Sequence, residues 1–346
     1  MRTCEKAIKG SRLFLCIAVF GALSPALAQD IASRLQTDTV AQLIERVRSG
    51  SDERVFAKAA DIGGALLREE KFAQAADLFS VLAEKQPNNS LVIYSAALAA
   101  FNSGRVPEAE QFARKALNVA RIQNETNRLA DALVLLSVVL AVRKDDAGSL
   151  DAAREAVQMA PASFDAQFTL GRALYGAGDD VGAVAAFRKA VALRTGDPQA
   201  RFFLATALEL SGNDDAALVT YKDLITQQPE YAQGHLGAGV LLAKKGRGSF
   251  NEAIAELMRA LSINPKLYEA RIALGRVLLS SGKVAEAVEH FRLATEIAPN
   301  NPEPHYQLSL AYRRLGRKQE ANAEAAVVQR IHDARRRTKL PAVSPD

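Results

Sequence analysis

The sequence predicts an all-α protein assembled from repeated helix pairs, and three observations support this fold class. Aromatic residues make up 6% of the 346 residues and Trp is absent, whereas the strands of β-sandwiches and barrels favour aromatic and β-branched residues. The chain is 49% hydrophobic, enough to bury a core, and it uses alanine heavily. A pattern of small and large apolar residues also recurs about every 34 residues, which indicates a repeat architecture.

Residues 1–28 have the features of a secretory signal peptide. Basic residues precede an apolar stretch at 13–23, and the small residues Ala26 and Ala28 stand before Gln29. Such a segment directs export and is then removed. We therefore expect a mature bacterial chain that begins at Gln29, is periplasmic or secreted, and has no membrane span. The alternative is an uncleaved anchor, although the apolar stretch is shorter than the roughly 20 residues of a membrane helix.

Cysteine usage and net charge both depend on this segment. Cys4 and Cys16 lie within it, so we expect the mature chain to form no disulfide, thiolate metal site or cysteine nucleophile. Part of the net charge of +5 lies there too, and much of the remaining excess is near the C-terminus, in the basic run at 335–339. A solvated helix end explains that run more simply than a nucleic-acid patch, so no nucleic-acid partner is expected.

Copies of the repeat cover residues 56–335. They span 56–89, 90–129, 130–163, 164–197, 198–231, 232–267, 268–301 and 302–335. Counted from the first residue of each copy, position 8 is always small: Gly63, Ala97, Ser137, Gly171, Ala205, Gly239, Gly275 and Ser309. Position 20 is also always small: Ala75, Ala109, Ser149, Ala183, Ala217, Ala253, Ala287 and Ala321. A larger side chain at either position would overpack a close crossing between helices.

These features resemble the tetratricopeptide repeat family, although the Trp that the family carries at position 4 is absent throughout. The resemblance implies an all-α, right-handed superhelical solenoid of about eight helix-turn-helix repeats. Residues 29–55 contain an amphipathic stretch that starts at Val40, and we expect an N-terminal capping helix there. Residues 336–346 are expected to form a basic, disordered tail.

Two repeats depart from the common pattern. The second has no closing proline, so a longer helix or loop is expected to extend its second helix toward Asn124. The third has Lys144 and two aspartates where other repeats have a turn glycine such as Gly178.

No residue pattern indicates an active site. The four histidines form no metal-binding pair at helical spacing, and His235 and His305 occupy position 4, where packing is the simpler role. The glycine-containing segment 246–249 lacks the spacing of a phosphate-binding loop and is interpreted as a lengthened turn. We therefore expect no enzyme activity, no metal and no cofactor, with an unrecognised enzyme as the remaining alternative.

The resemblance places a partner in a concave groove lined by the first helix of each repeat, at positions 2, 5, 9 and 12. The residues expected to bind it are Tyr94, Phe101, Phe168, Arg172, Tyr175, Phe202, Arg276, Tyr306 and Arg313. For Phe101 and Phe202, packing against neighbouring repeats is an equal alternative, whereas Arg172 and Tyr175 are expected to be exposed. Positions 5 and 9 contain no Asn or Lys, and position 6 contains no Asn, which disfavours the family's carboxylate clamp and its asparagine ladder.

Together these features predict a non-enzymatic scaffold or adaptor, exported to the cell envelope, that binds a segment of another protein. Apolar groove residues would supply affinity and the arginines would orient an acidic partner. The alternative is an accessory or regulatory subunit of an envelope assembly, for polysaccharide export, pilus assembly or outer-membrane biogenesis.

Overall fold

A computed structural model of the protein describes residues 40–50 and 52–337, and these residues form seventeen α-helices and no strand. The predicted all-α repeat fold is confirmed. The predicted signal peptide and the part of the predicted tail beyond residue 337 lie outside the described residues. The chain divides into two compact units, of which the first ends at Thr195 and the second begins at Gly196.

The first unit consists of a short leading helix followed by helix pairs. Its helices are α1 (Val40–Ser49), α2 (Glu53–Arg68), α3 (Phe72–Lys85), α4 (Ser90–Asn102), α5 (Val106–Ile122), α6 (Thr126–Val142), α7 (Asp146–Met159), α8 (Phe164–Ala177) and α9 (Asp180–Leu193). Helix α1 lies where the capping helix is expected, and its Leu43 and Val47 are buried in the hydrophobic core. The four following pairs extend from Glu53 to Leu193.

The second unit has the same organisation without a leading helix. Its helices are α10 (Pro198–Leu210), α11 (Asp214–Gln227), α12 (Ala232–Lys245), α13 (Phe250–Ile263), α14 (Tyr268–Ser280), α15 (Val284–Ile297), α16 (Pro302–Arg314) and α17 (Lys318–Arg337). A single 3-10 turn, Arg247–Ser249, precedes α13 and lies at the predicted lengthened turn. Within this unit, each helix packs against the next one in the chain.

Left-handed backbone conformations connect the helices of each pair, and they do not always require glycine. Gly178 has a φ of 81°, as expected for a glycine that ends a helix. Glu70 and Lys144 adopt the same region with φ of 58° and 67°, although a non-glycine residue there costs roughly 1–2 kcal/mol. The third repeat therefore makes its turn through Lys144 despite lacking the glycine.

The second repeat ends in the way that its missing proline predicts. Helix α5 runs to Ile122, and Asn124 makes the turn with a φ of 56° before α6 begins at Thr126. A helix that precedes an inter-repeat proline is shorter, as for α3, which ends at Lys85. Without a proline to exclude further helical turns, α5 continues by almost one turn more.

The predicted close crossing occurs between position 8 and an aromatic ring on the second helix of the same repeat. A Cβ atom added to Gly171 would lie 2.6 Å from the Phe187 ring, and one added to Gly275 would lie 2.4 Å from the Phe291 ring. Neither distance leaves room for a methyl group. Both rings are fully buried, so each glycine lets an aromatic side chain fill the centre of its repeat.

Position 4, where the family carries Trp, is used here in two ways. In the first three repeats it is apolar, with Ala59, Ile93 and Leu133 all buried. In four later repeats it carries a hydrogen-bond donor to the proline carbonyl six residues earlier. These bonds join Gln167 to Pro161, His235 to Pro229, Arg271 to Pro265 and His305 to Pro299, at 2.9 to 3.3 Å. The donors bind a turn carbonyl that would otherwise have to be satisfied by water.

The histidines at this position are fixed on both sides of the ring. His235 is buried, and its Nδ1 lies 2.6 Å from a Glu256 carboxylate oxygen. His305 repeats the arrangement with Glu324, also at 2.6 Å. Carbonyl and carboxylate oxygens both accept, so each of the two ring nitrogens faces an acceptor in His235 and in His305. The expected packing role of these two residues therefore includes defined hydrogen bonds.

Candidate partner-binding surface

The aromatic residues predicted to line the groove lie at different depths in the first unit. Tyr94 on α4 and Phe168 on α8 are 6% and 8% exposed, and Phe101 is half-buried against the hydrophobic core. The cause is local: residues 92–100 of α4 and 132–140 of α6 are buried without interruption. A helix buried on all sides offers a partner little more than side-chain tips.

Arg172 is the exception among these residues, because it is a charged side chain in a largely apolar setting. It is half-buried at position 9 of α8, two residues before the buried Leu174 and three before the half-buried Tyr175. Burial alone lowers the pKa of its guanidinium to about 10. Within the described residues, Arg172 has no hydrogen bond and no ion pair to offset that desolvation. Partial burial of a charge without a counter-ion is unfavourable, so a carboxylate from elsewhere would be bound with a gain.

Two carboxylates lie on the same side of the first helices. Asp131 is exposed on α6 immediately before the buried stretch 132–140, and Asp165 occupies the same repeat position at the start of α8. Burial and the charge of Asp165 raise the pKa of Asp131, while Arg128 lowers it. Burial, Asp131 and Asp165 also raise the pKa of the Tyr94 hydroxyl above its ordinary value. The three groups therefore share one region, which α4, α6 and α8 form by packing side by side.

We name this region the Arg172 surface and define it by Tyr94, Asp131, Asp165, Phe168, Arg172 and Tyr175. It carries negative charge at the start of the first helices. Its positive charge lies further along α8, because Asp165 and Arg172 are seven residues, and hence about 10 Å, apart on that helix. A buried aromatic ring, Phe168, lies between them in the sequence.

In the second unit, the predicted aromatic residue Phe202 belongs to a cluster of rings. Its ring centroid lies 5.7 Å from that of Phe203, 6.1 Å from Tyr221 and 5.9 Å from Tyr231. Such distances are typical of packed aromatic pairs. Phe202 is half-buried, so the packing alternative considered for it accounts for much of its surface.

The remaining predicted residues of the second unit are exposed, but one of them already has a partner. Arg276 donates to a carboxylate oxygen of Glu303 at 2.5 Å. Glu303 also accepts from the Tyr268 hydroxyl at 3.5 Å. Tyr306 is 53% exposed and Arg313 is exposed. The positive charge of Arg276 is thus compensated within the second unit by Glu303.

Sequence reasoning singled out the arginines and aromatic rings but not Asp131, Asp165 or Glu303. All three stand at position 2 of their repeats, one of the positions assigned to the groove by the family resemblance. The repeat register therefore indicates that these three carboxylates belong to the groove. It does not indicate which arginine pairs with a carboxylate, since that depends on contacts between different repeats.

Two kinds of site are absent from the part of the chain that the structure describes. Residues 40–50 and 52–337 bring together no group of three or more His, Cys, Asp or Glu side chains that could hold a metal ion. Over the same ranges, no helix combines the length and the apolar character that crossing a membrane requires.

Comparison with known proteins agrees with the repeat architecture. Models of the tetratricopeptide repeat family match residues 61–125, 140–198, 168–232 and 245–307, which together amount to more than half of the chain. A small glutamine-rich tetratricopeptide repeat-containing protein 2 from Mycosarcoma maydis is 32% identical over 83 residues, or 24% of each chain. The chain thus spans about a quarter of the length of this curated relative.

Solved structures of repeat proteins are also similar to part of the chain. The MamA protein is 20% identical with a TM-score of 0.46, over 52% of this chain and 98% of MamA. YrrB, described as a TPR protein with an unusual peptide-binding site, is 24% identical with a TM-score of 0.46, over 56% of this chain and 96% of YrrB.

Tetratricopeptide repeats typically form scaffolds that bind protein or peptide partners. From its helix pairs, its small residues at the crossings and these matches, the chain belongs to the tetratricopeptide repeat family.

Proposed function

We propose that the protein is a non-enzymatic adaptor, exported to the cell envelope, that binds an acidic segment of another protein at the Arg172 surface. The observation that carries this proposal is the guanidinium of Arg172, which is partly desolvated and has no carboxylate partner among the described residues. A carboxylate that reached it would form a charge-assisted hydrogen bond in a setting where solvent competes weakly.

Export is proposed from the sequence of residues 1–28, with its basic start, apolar stretch and small residues before Gln29. N-terminal sequencing of the chain recovered from the envelope fraction tests this step. A mature N-terminus at Gln29 supports export with cleavage, and recovery of the intact N-terminus from the cytoplasm would refute it.

Partner binding is tested by cross-linking the full chain in its own cells, capturing it from the envelope fraction and identifying what is bound by mass spectrometry. The test variant is Arg172→Gln, which removes the charge and keeps a polar side chain of similar reach. The matched control is Arg276→Gln, because that arginine stands at the same repeat position but is already paired with Glu303.

We expect Arg172→Gln to reduce recovery of one partner by about tenfold or more, since truncating one side of a desolvated charge pair is strongly unfavourable. Arg276→Gln should leave recovery close to the wild-type level. Equal recovery from the wild type and both variants would contradict the proposed surface. Capture of a fixed multi-subunit complex, lost together in Arg172→Gln, would favour the accessory-subunit alternative over a separate adaptor.

A further inference from the structure

We infer that the acidic end of the Arg172 surface binds a cationic side chain of the same partner segment, so that the protein recognises a lysine or arginine placed about 10 Å from a carboxylate. This inference rests on the proposed function and specifies the chemistry of the segment that the surface accepts. Three groups carry it: the Tyr94 hydroxyl, the Asp131 carboxylate and the Arg172 guanidinium.

The Tyr94 hydroxyl is the most informative of these groups. The residue is 6% exposed, and within the described chain its hydroxyl has no hydrogen-bond partner, although it feels the charges of Asp131 and Asp165. The ring of Tyr94 is buried, whereas its hydroxyl oxygen is not one of the enclosed polar atoms that lack a partner in the described residues, so a ligand can reach it. Its oxygen can accept one bond from an ammonium or guanidinium group that enters beside the carboxylates.

Asp131 supplies the charge that such a cation would pair with. It is exposed to solvent, and the residues described here form no hydrogen bond or ion pair with it. Asp165 adds a second negative charge close by, and the repulsion between the two charges helps to raise the pKa of Asp131. A cation therefore relieves a repulsion in addition to forming an ion pair.

A protein side chain fits this site better than a divalent metal ion. A calcium ion requires six to eight oxygen ligands, and no group of three potential metal ligands lies together in the described part of the chain. One hydroxyl and one accessible carboxylate match the donors of an ammonium or guanidinium group. The preference is therefore for lysine or arginine.

The spacing of the two charges sets the partner's pattern. Asp165 and Arg172 lie two helical turns apart on α8, a rise of about 10 Å, and Asp131 stands at the same repeat position as Asp165. An extended segment advances about 3.3 Å per residue. For a cation held beside Asp165 as well as Asp131, the cation and the carboxylate of the segment should then lie about three residues apart.

The test selects peptides from a random phage-displayed library on the full chain and on three variants. Asp131→Asn removes the charge with little change of shape, Tyr94→Phe removes only the hydroxyl, and Arg172→Gln removes the opposite end of the surface. Asp151→Asn is the control, because Asp151 is a solvent-exposed carboxylate on α7, with its side chain 80% exposed.

On the wild type and on Asp151→Asn we expect enrichment of Lys or Arg about three residues from Asp or Glu. Peptides selected on Asp131→Asn should lose the preference for Lys or Arg and keep the preference for Asp or Glu. Peptides selected on Arg172→Gln should lose the preference for Asp or Glu and keep the preference for Lys or Arg. For one selected peptide, Asp131→Asn should weaken binding about tenfold, and so should replacing the peptide's basic residue by Ala. Tyr94→Phe should weaken binding less than Asp131→Asn.

The losses of affinity caused by Asp131→Asn and by replacing the peptide's basic residue with Ala should also be non-additive, since each change removes the same contact. Selected peptides with an acidic preference and no basic one would overturn this inference and leave the proposed function standing. If no peptide is enriched on the wild type, or if Arg172→Gln selects the same sequences as the wild type, the proposed function falls as well. A full additive loss in the double substitution would likewise refute a direct contact with Asp131.

Discussion

Arg172 in the first unit and Arg276 in the second stand at the same position of their repeats, yet their surroundings differ. Arg276 pairs with Glu303 of the following repeat at 2.5 Å. Arg172 has no such partner in the described residues, and burial lowers the pKa of its guanidinium to about 10. The same residue at the same register is therefore part of the scaffold in one unit and a candidate binding group in the other.

Within the second unit, Arg276 is paired because position 2 of the following repeat is Glu303. A single residue in a neighbouring repeat of the same unit thus satisfies this arginine within the chain, and such differences allow one repeat architecture to serve unrelated partners.

The largest expected effects test whether the two units share the same packing, which the comparison of the arginines assumes. Phe187→Ala in the first unit and Phe291→Ala in the second each remove a fully buried ring that lies over a glycine. We expect each to lower the free energy of unfolding by about 3–5 kcal/mol, because the cavity cannot close.

Denaturant titration followed by circular dichroism measures both changes. Met258→Ala is the control, since that side chain is 58% exposed and its loss should have little effect. If one phenylalanine matters no more than Met258, the two units are packed differently and the arginines are not comparable.

The next effect concerns position 4, which is apolar in the first three repeats and a donor in later ones. His235→Ala removes the bond to the Pro229 carbonyl and leaves the Glu256 carboxylate without its partner. The free energy of unfolding should fall by about 1–3 kcal/mol.

His235→Gln is the matched variant, because Gln167 makes the equivalent bond to Pro161 at 2.9 Å. It should recover part of the stability lost in His235→Ala, again measured by denaturant titration. Equal loss in the two variants would show that ring packing, and not the carbonyl bond, accounts for the histidine.

A smaller effect of opposite sign separates the two arginines directly. Arg172→Leu removes a desolvated charge and should raise the free energy of unfolding of the unbound protein by about 0.5–2 kcal/mol, as is common where a site is kept for binding. Arg276→Leu removes an exposed ion pair with Glu303 and should change stability by less than about 1 kcal/mol, in the direction of a loss. A loss of stability in Arg172→Leu would mean that its aliphatic stem packs better than leucine does.

How far the sequence predicts this molecule depends on whether a feature repeats. Gly171 and Gly275 were identified from register alone, because every copy of the repeat imposes the same close crossing. The helix pairs follow from the same periodicity. Lys144 shows the limit of local turn chemistry, since packing of α6 against α7 holds it in a conformation that its own side chain disfavours.

The candidate site is less predictable because it depends on depth and on contacts between repeats. Register assigned Tyr94 and Phe168 to the groove, but it could not show that they are 6% and 8% exposed. The Phe168 ring packs against the Phe164 and Phe187 rings of its own repeat, and register does not specify which aromatic residues surround a groove position. Register also could not show that Arg276 pairs with Glu303 while Arg172 stays without a partner.

The smallest expected effect is a pH dependence that compares a carboxylate in each unit. Burial and Asp165 raise the pKa of Asp131 in the first unit, and burial and Asp214 raise the pKa of Glu209 in the second. A carboxyl group with a raised pKa in the folded state favours folding when it is protonated. That contribution is lost as pH rises through the folded-state pKa, so at neutral pH both charges are unfavourable.

Asp131→Asn and Glu209→Gln should therefore each be more stable than the wild type at neutral pH, and the advantage should shrink as pH falls through the raised pKa values. Denaturant titrations at a series of pH values measure the difference. Adding a selected basic peptide should remove the advantage of Asp131→Asn, because the cation stabilises the wild-type carboxylate. It should leave the advantage of Glu209→Gln unchanged, since Glu209 lies outside the Arg172 surface. An advantage of Asp131→Asn that persists with bound peptide would place the peptide's cation away from Asp131.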